Sequence, residues 1–141
     1  MPQKAILFYL HNVRYDLRDK EKLRRWISET VIAEKNQISE IAFIICNDEY
    51  LLELNKTFLN HDTLTDVISF NLSDKPKSIK GEIYISVDRV KENAKKYRVG
   101  IKDELHRVMI HGVLHLVGYN DVTEKEKFRM RKREDYYLSL R

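Results

Sequence analysis

The feature that most constrains how this chain can fold is an apolar helical stretch that carries two histidines and stops at a glycine. Residues 111–121 read HGVLHLVGYND. Residues four apart in a helix project from nearly the same angle, so His111 and His115 can reach one ion together. Gly118 suits the left-handed conformation that ends a helix and lets the chain turn back. Asp121 can then return to the histidine pair as a third ligand.

Two imidazole nitrogens and one carboxylate oxygen form a donor set that suits zinc. Three protein ligands leave one tetrahedral position for water, as in catalytic zinc sites. A zinc ion would lower the pKa of that water from about 16 towards about 7. The same spacing also fits two histidines of an ordinary helix that ends at a glycine, so zinc is a hypothesis that the rest of the chain must support.

A histidine pair followed by a glycine and a third ligand is also found in the metzincin peptidases, whose pattern is HExxHxxGxxH. Their chemistry needs a glutamate directly after the first histidine as the general base. Here that residue is Gly112. A zinc peptidase or amidase is therefore the weaker alternative.

Length and composition indicate one globular domain that spans residues 1–141. A chain of 141 residues can bury a core without disulfides or a structural metal. The single cysteine, Cys46, lies in the apolar run IAFIIC, where we expect it to be buried, and this usage fits a reducing compartment. The N-terminal MPQKAILFYLHNV is too short and too polar-flanked for a signal peptide or a membrane span. We therefore expect a cytoplasmic protein with no membrane partner.

The net charge of +4 is compatible with a polyanionic partner. Basic residues gather in three segments, residues 22–25, 91–98 and 127–133. Each segment also has the composition of a solvated helix face. The charge therefore allows a nucleic-acid partner without demonstrating one.

The hydrophobic periodicity predicts strands and helices in the order β-α-β-α-β-β-α-α-α. The predicted strands span residues 5–10, 39–48, 65–72 and 81–87, and the last two form a hairpin. The predicted helices span residues 19–35, 49–59, 88–97, 101–117 and 123 onward. We expect Asp16 or Asp19 to cap the first helix, and Thr123 with Glu126 to form a capping box at the last. This order predicts an α+β fold with a four-stranded mixed sheet, helices packed on it, and the zinc site at the C-terminal end of a long helix.

Three segments resemble, in order, the motifs of the YbeY family of small zinc-binding endoribonucleases. HGVLHLVGYND is similar to the family's HGxLHLxGYDH. LNKTFLNHDTLTDVISF, residues 54–70, is similar to LNxxYRxxDxPTDVLSF, and GEIYIS, residues 81–86, is similar to GDIxIS. The resemblance implies an α+β fold in which the zinc helix lies against a small sheet, beside a cleft that admits single-stranded RNA.

The resemblance also implies a function, a metal and partners. The function is that of a single-strand-specific, metal-dependent endoribonuclease that holds one zinc ion and acts in ribosome biogenesis, at the 3′ end of 16S ribosomal RNA. The expected partners are ribosomal RNA and the small ribosomal subunit, and no DNA is expected. His111 and His115 match the first two zinc ligands of the family, and Asp121 stands at the place of its third histidine. A carboxylate keeps the ligation but makes the metal a weaker Lewis acid.

A second departure from the family motif is Leu59, which follows Phe58 where the family has an arginine. An arginine near the zinc would steady a phosphate and its developing charge. We therefore expect Lys56 or His61 to substitute. The leucine also keeps a non-catalytic alternative open, that of a zinc-containing ribosome-assembly or RNA-binding factor.

The segment TDVISF supplies further candidates, because Thr65, Asp66 and Ser69 match the family's TDVLSF and are expected to line the cleft. Asp66 would orient a ligand imidazole or a catalytic water, or else cap the start of a strand. Glu104 would either support the zinc ligands or lie on a solvated helix face, and of these two interpretations we favour the second. The candidate catalytic residues are Asp66, Ser69, His61 and Lys56.

Overall fold

One mixed sheet organises the computed structural model, which describes residues 5–141. Its strands are β1 (Ile6–Leu10), β2 (Gln37–Cys46), β3 (Val67–Asn71) and β4 (Ser78–Ser86), in the order β1-β2-β4-β3. The β1–β2 and β2–β4 pairs are parallel, whereas β3 and β4 are antiparallel. The predicted four-stranded mixed sheet and its hairpin are therefore confirmed.

The helices of the described range are α1 (Lys20–Ala33), α2 (Asp48–Leu59), α3 (Val87–Tyr97), α4 (Ile101–Leu116) and α5 (Glu124–Leu138). Every predicted helix and strand is found within three residues of its expected ends. Thr123 caps α5 through the predicted capping box with Glu126. None of these helices is both long and apolar enough to cross a membrane.

The start of α1 departs from the expectation. Asp19 occupies the N-cap position with a φ of 58°, and its side chain makes no capping hydrogen bond. Its carboxylate lies 3.4 Å from Lys102 Nζ instead, and the carboxylate of Asp16 accepts from Arg18 Nε at 2.8 Å. The predicted capping by Asp16 or Asp19 is therefore wrong, because a side chain in this left-handed conformation does not reach the first free amides of the helix.

The core lies between the sheet and the helices α1 and α4. Helix α4 contributes the fully buried side chains of Met109, Ile110 and Leu114, which pack with Phe43 of β2 and Ile83 of β4. Burying each of these side chains stabilises the fold by roughly 1.5–3 kcal/mol. Cys46 is also buried, as its apolar run predicts.

Two glycines let α4 lie directly on the β3–β4 hairpin. A Cβ atom on Gly112 would lie 2.7 Å from Ile83 Cγ2, and one on Gly81 would lie 2.8 Å from Leu116 Cδ2. Both distances are well below van der Waals contact, so any side chain would push the helix off the sheet. Ser69 Oγ donates to the Gly112 carbonyl at 3.4 Å across the same contact. Position 112 faces the sheet, where the glutamate of a metzincin would have no room.

We expect Gly112→Ala to lower the free energy of unfolding by about 1–3 kcal/mol, because the methyl group overpacks the contact between α4 and β4. Gly100→Ala is the matched control, since the nearest atom to its Cβ would be 3.6 Å away, and we expect it to cost less than about 1 kcal/mol. Urea unfolding followed by circular dichroism measures both. Equal stabilities of the two variants would contradict the close contact.

Candidate metal centre

Three side chains from the C-terminal half of α4 and the loop after it converge on one point. His111 Nε2 and His115 Nε2 lie 3.1 Å apart. Asp121 Oδ2 lies 3.2 Å from His111 Nε2 and 3.4 Å from His115 Nε2. The three side chains are half-buried, and one ligand atom from each lies within 4.8 Å of the others. This group could hold a metal ion.

A Schellman motif at the end of α4 brings Asp121 back. Tyr119 N donates to the Leu114 carbonyl at 3.0 Å, and Gly118 N donates to the His115 carbonyl at 3.1 Å. Gly118 has a φ of 111°, which a residue with a side chain adopts only with strain. The helix therefore ends where it does because a glycine stands at 118.

The same turn orients the imidazole of His115. His115 Nδ1 lies 2.9 Å from the Tyr119 carbonyl oxygen. A carbonyl can only accept a hydrogen bond, so Nδ1 is the donor and Nε2 presents its lone pair to the point of convergence. The Tyr119 hydroxyl in turn donates to Glu34 Oε1 at 2.9 Å, which ties the turn to the end of α1.

The imidazole of His111 is oriented by Glu134 of α5, which the sequence analysis missed. His111 Nδ1 lies 2.6 Å from Glu134 Oε2, and the other oxygen of this buried carboxylate accepts from Arg107 Nη1 at 2.8 Å. A carboxylate behind a ligand histidine fixes the ring and makes the ligand more basic. The segment KFRMRKRED offers little signal for this role, because it has the composition of a solvated helix face.

The pKa of His111 reflects these neighbours. Burial disfavours the charged imidazolium, but the hydrogen bond that His111 donates to Glu134 and the negative charges of Glu134, Asp121 and Asp66 outweigh it and raise the pKa. A metal ion must therefore displace a proton more often at this histidine than at an exposed one.

The metal-ligand group lies where two cavities meet. One, of about 620 Å³, runs between the end of α2 and β3, and we call it the β3 cleft. The other, of about 460 Å³, lies between α3, α4 and α5, and we call it the helical cavity. Both are lined by Asp66, His111 and Asp121. A substrate could therefore reach the ligand group from either side.

The β3 cleft receives most of the side chains that the TDVISF segment and its neighbours were expected to contribute. Thr65, Asp66, Ser69 and His61 line it. Lys56 is not among its lining residues, and its Nζ lies 3.6 Å from Asp62 Oδ1.

Leu59 takes the place of the family's arginine on the wall of the β3 cleft, where it is 44% exposed. Its side chain is apolar and can donate no hydrogen bond to a phosphate. The structure therefore brings one of the two expected substitutes, His61, to this wall.

Asp66 lies at the junction of the two cavities. Burial raises the pKa of its carboxyl group, although the nearby His111 opposes the rise. The two ligand imidazoles use Glu134 and the Tyr119 carbonyl as their Nδ1 partners, so the expected role of Asp66 in orienting a ligand ring does not match the structure. Its role towards a catalytic water stays a prediction.

Glu104 is buried, with 6% of its surface exposed, and it lines the helical cavity. Its assignment to a solvated helix face is therefore wrong. Burial and the neighbouring charge of Asp66 raise the pKa of its carboxyl group, and Arg107 opposes this. This burial results from the packing of α4 against α3 and α5, which the residues next to Glu104 in the sequence do not reveal.

The fold and the side-chain geometry together define a small α+β protein in which three side chains that could hold a metal ion open on a cleft. Over residues 10–140 the chain matches the family model described as endoribonuclease YbeY. The chain belongs to the YbeY family, as its three motifs indicate.

Named relatives show the same kinship. The endoribonuclease YbeY of Cytophaga hutchinsonii is 48% identical over 141 residues, which are 100% of this chain and 99% of the relative. That of Flavobacterium psychrophilum is 44% identical over 135 residues, 96% of each chain. The solution structure of a Thermotoga maritima protein matches with a TM-score of 0.64 at 28% identity, covering 94% of this chain and 87% of that one. The fold is therefore shared with a solved structure.

We expect Glu134→Ala to weaken metal binding by about 10- to 100-fold, because His111 loses the acceptor that fixes its ring. Glu134→Gln should weaken it less, since the amide oxygen still accepts from Nδ1. Asp135→Ala is the matched control, because Asp135 accepts from Arg107 Nη2 at 2.7 Å without touching His111. Titration against a chromophoric chelator measures the three affinities. Equal losses in the Glu134→Ala and Asp135→Ala proteins would contradict the orienting role.

Proposed function

We propose that this chain is a zinc-dependent endoribonuclease that cuts single-stranded RNA in ribosome biogenesis, with the 3′ end of 16S ribosomal RNA as its substrate and the small ribosomal subunit as its partner. The observation that carries the proposal is the convergence of His111, His115 and Asp121 on the floor of the β3 cleft. The relatives named endoribonuclease YbeY support RNA as the substrate.

The separations between the ligand atoms favour zinc as the ion. Ligands at about 2.0–2.2 Å from a tetrahedral ion are about 3.3–3.6 Å from one another. The observed separations of 3.1, 3.2 and 3.4 Å lie close to that range. Two nitrogen donors also disfavour magnesium and calcium, which prefer oxygen ligands.

When bound, zinc would supply Lewis acidity to a phosphate oxygen and lower the pKa of a water molecule. The protein supplies the proton transfers. Asp66 is a half-buried carboxylate with a raised pKa in the cleft that the ligand group also lines, which suits a general base that takes the proton of the attacking oxygen. We propose His61, which lines the β3 cleft, as the group that protonates the leaving oxygen.

The phosphate needs a cation or a donor that Leu59 does not provide. Among residues 5–141, Lys56 is held by one exposed ion pair, with Asp62, and such pairs contribute little, so its side chain can swing towards the substrate. Ser69 has only a long hydrogen bond to Gly112 and can exchange it for a phosphate oxygen. We propose these two side chains, with His61, as the contacts that replace the family's arginine.

We expect zinc-loaded protein to cut an end-labelled single-stranded RNA, and His111→Ala to lower the rate at least about 100-fold, because the ion loses a ligand. Chelation of the metal should have the same effect on the wild type. Gel analysis of the products measures the rate of RNA cleavage. Casein is incubated with the same protein as a test for peptidase activity, and we expect it to stay intact.

If the zinc-loaded protein binds RNA but never cuts it, that result would contradict the proposed endoribonuclease activity. It would favour the second candidate function, a zinc-containing ribosome-assembly factor. The specific observation behind that candidate is the apolar Leu59 on the cleft wall where the family has an arginine.

We expect Asp66→Asn to lower kcat at least about 100-fold with little change in metal content, because the general base is lost and the metal ligands are not. In the wild type the rate should rise with pH as Asp66 loses its proton, at a pH above the ordinary pKa of an aspartate, since burial raises that pKa. This acidic limb of the pH–rate profile should vanish in the variant. Asp62→Asn, which removes an exposed carboxylate from the same segment, is the control and should keep the limb.

A further inference from the structure

The helical cavity contains a buried carboxylate with no partner. Glu104 is 6% exposed and lines this cavity. Among residues 5–141 its carboxylate has neither a hydrogen-bond donor nor an ion-pair partner, because Arg107 donates to Glu134 and Asp135. The carboxylate oxygens are not sealed from solvent, since among residues 5–141 the buried side-chain polar atom without a partner is Ser28 Oγ. The carboxylate therefore faces the cavity, where a ligand that carries hydrogen-bond donors can bind it in place of solvent.

Exposed aromatic side chains lie beside this carboxylate. Phe128 of α5 and Tyr97 of α3 line the helical cavity and are 55% and 52% exposed. Lys132 Nζ lies 5.3 Å from the centre of the Phe128 ring, and Lys96 Nζ lies 5.4 Å from that of Tyr97. Exposed rings next to cations are the means by which proteins bind single-stranded nucleic acids, since bases stack on the rings and phosphates meet the cations.

We infer that the helical cavity is a nucleobase pocket, which receives the base of a nucleotide next to the cleaved phosphate and prefers bases with an exocyclic amino group. The amino group donates to the Glu104 carboxylate while the base stacks on Phe128 or Tyr97. Because the cavity shares His111 and Asp121 with the metal-ligand group, a base held here lies next to the reacting phosphate. This assignment rests on the proposed function, which supplies RNA as the ligand.

The charges of the cavity wall support a base over a phosphate. Carboxylates outnumber cationic side chains among its lining residues, which disfavours an anion inside it. Its volume of about 460 Å³ falls in the range of small-molecule sites, roughly 300–1,000 Å³.

Cytosine and uracil differ at the group that Glu104 would meet. Cytosine carries an amino donor at its 4-position, whereas uracil carries a carbonyl oxygen there. A carbonyl facing the Glu104 carboxylate would leave two acceptors without a donor between them. A site whose acceptor needs a donor from the ligand rejects a ligand that lacks that donor. The pocket should therefore bind cytosine in preference to uracil.

The test uses CMP and UMP, which differ in this group and contain no phosphodiester bond to be cut. Each is titrated into zinc-loaded protein by calorimetry at about pH 8, where the carboxylate form of Glu104 is favoured. We expect CMP to bind about tenfold more tightly than UMP. Glu104→Gln should reduce the ratio to about twofold or less, because an amide both donates and accepts. Glu124→Gln is the matched control, since it removes a highly exposed carboxylate from the same cavity, and it should preserve the ratio.

The aromatic wall is tested by a second pair of variants. Phe128→Ala should weaken CMP and UMP alike, by about tenfold, because stacking does not depend on the identity of the base. Tyr136→Ala removes a similarly exposed ring of α5 that does not line the cavity, and it should change neither affinity.

Two results would overturn the nucleobase pocket. One is equal affinity of the wild type for CMP and UMP. The other is a fall from two bound metal ions per chain to one in Glu104→Gln, which would assign Glu104 and Asp66 to a second cation. RNA that is cut while CMP and UMP bind equally would remove the pocket and keep the proposed function. A CMP preference without any cutting of RNA would support the pocket as a nucleotide site and remove the proposed nuclease.

Discussion

The close contact between α4 and the β3–β4 hairpin is the constraint on which the rest of the structure depends. Gly112 lies against Ile83, and Leu116 lies against Gly81, so the helix axis is held near the sheet over its last turns. His111 directly precedes Gly112, and the distance of the helix from the sheet therefore sets how deep the imidazole lies in the cleft. The same contact places β3, and with it Asp66 and Ser69, beside the ligands.

The electrostatics of the centre depend on helices that contribute no metal ligand. Glu134 reaches His111 from α5, and Arg107 satisfies its second oxygen, so this buried carboxylate is fully hydrogen-bonded. Buried charges are tolerated when they are paired in this way. Glu104 has no such pairing among residues 5–141, and Asp66 accepts hydrogen bonds from backbone N–H groups alone, those of Asp66 and Val67, in the part of the chain that the structure describes. Burial raises the pKa of both carboxyl groups. The centre thus combines a fixed, paired carboxylate with two that remain available for chemistry.

The sequence predicted the features that depend on local geometry. The fold class and the order of elements follow from apolar periodicity, and His111, His115 and Asp121 could be grouped because they lie within one helix end and its turn. Glu134 and Glu104 could not be assigned, because their roles arise from the packing of α3, α4 and α5, which periodicity does not reveal. The cap of α1 was missed because the left-handed backbone at Asp19 cannot be read from residue type.

The two imidazoles differ in what holds their outer nitrogens. His111 depends on a side chain, since its partner is the Glu134 carboxylate, and a single codon change can delete that partner. His115 depends on the backbone, since its partner is the Tyr119 carbonyl, and every residue type at position 119 would supply that oxygen. A substitution at position 119 keeps this oxygen but removes the Tyr119 hydroxyl that bonds Glu34. A substitution at position 134 removes the partner of His111 itself, so the two imidazoles differ in how directly a side-chain change reaches them.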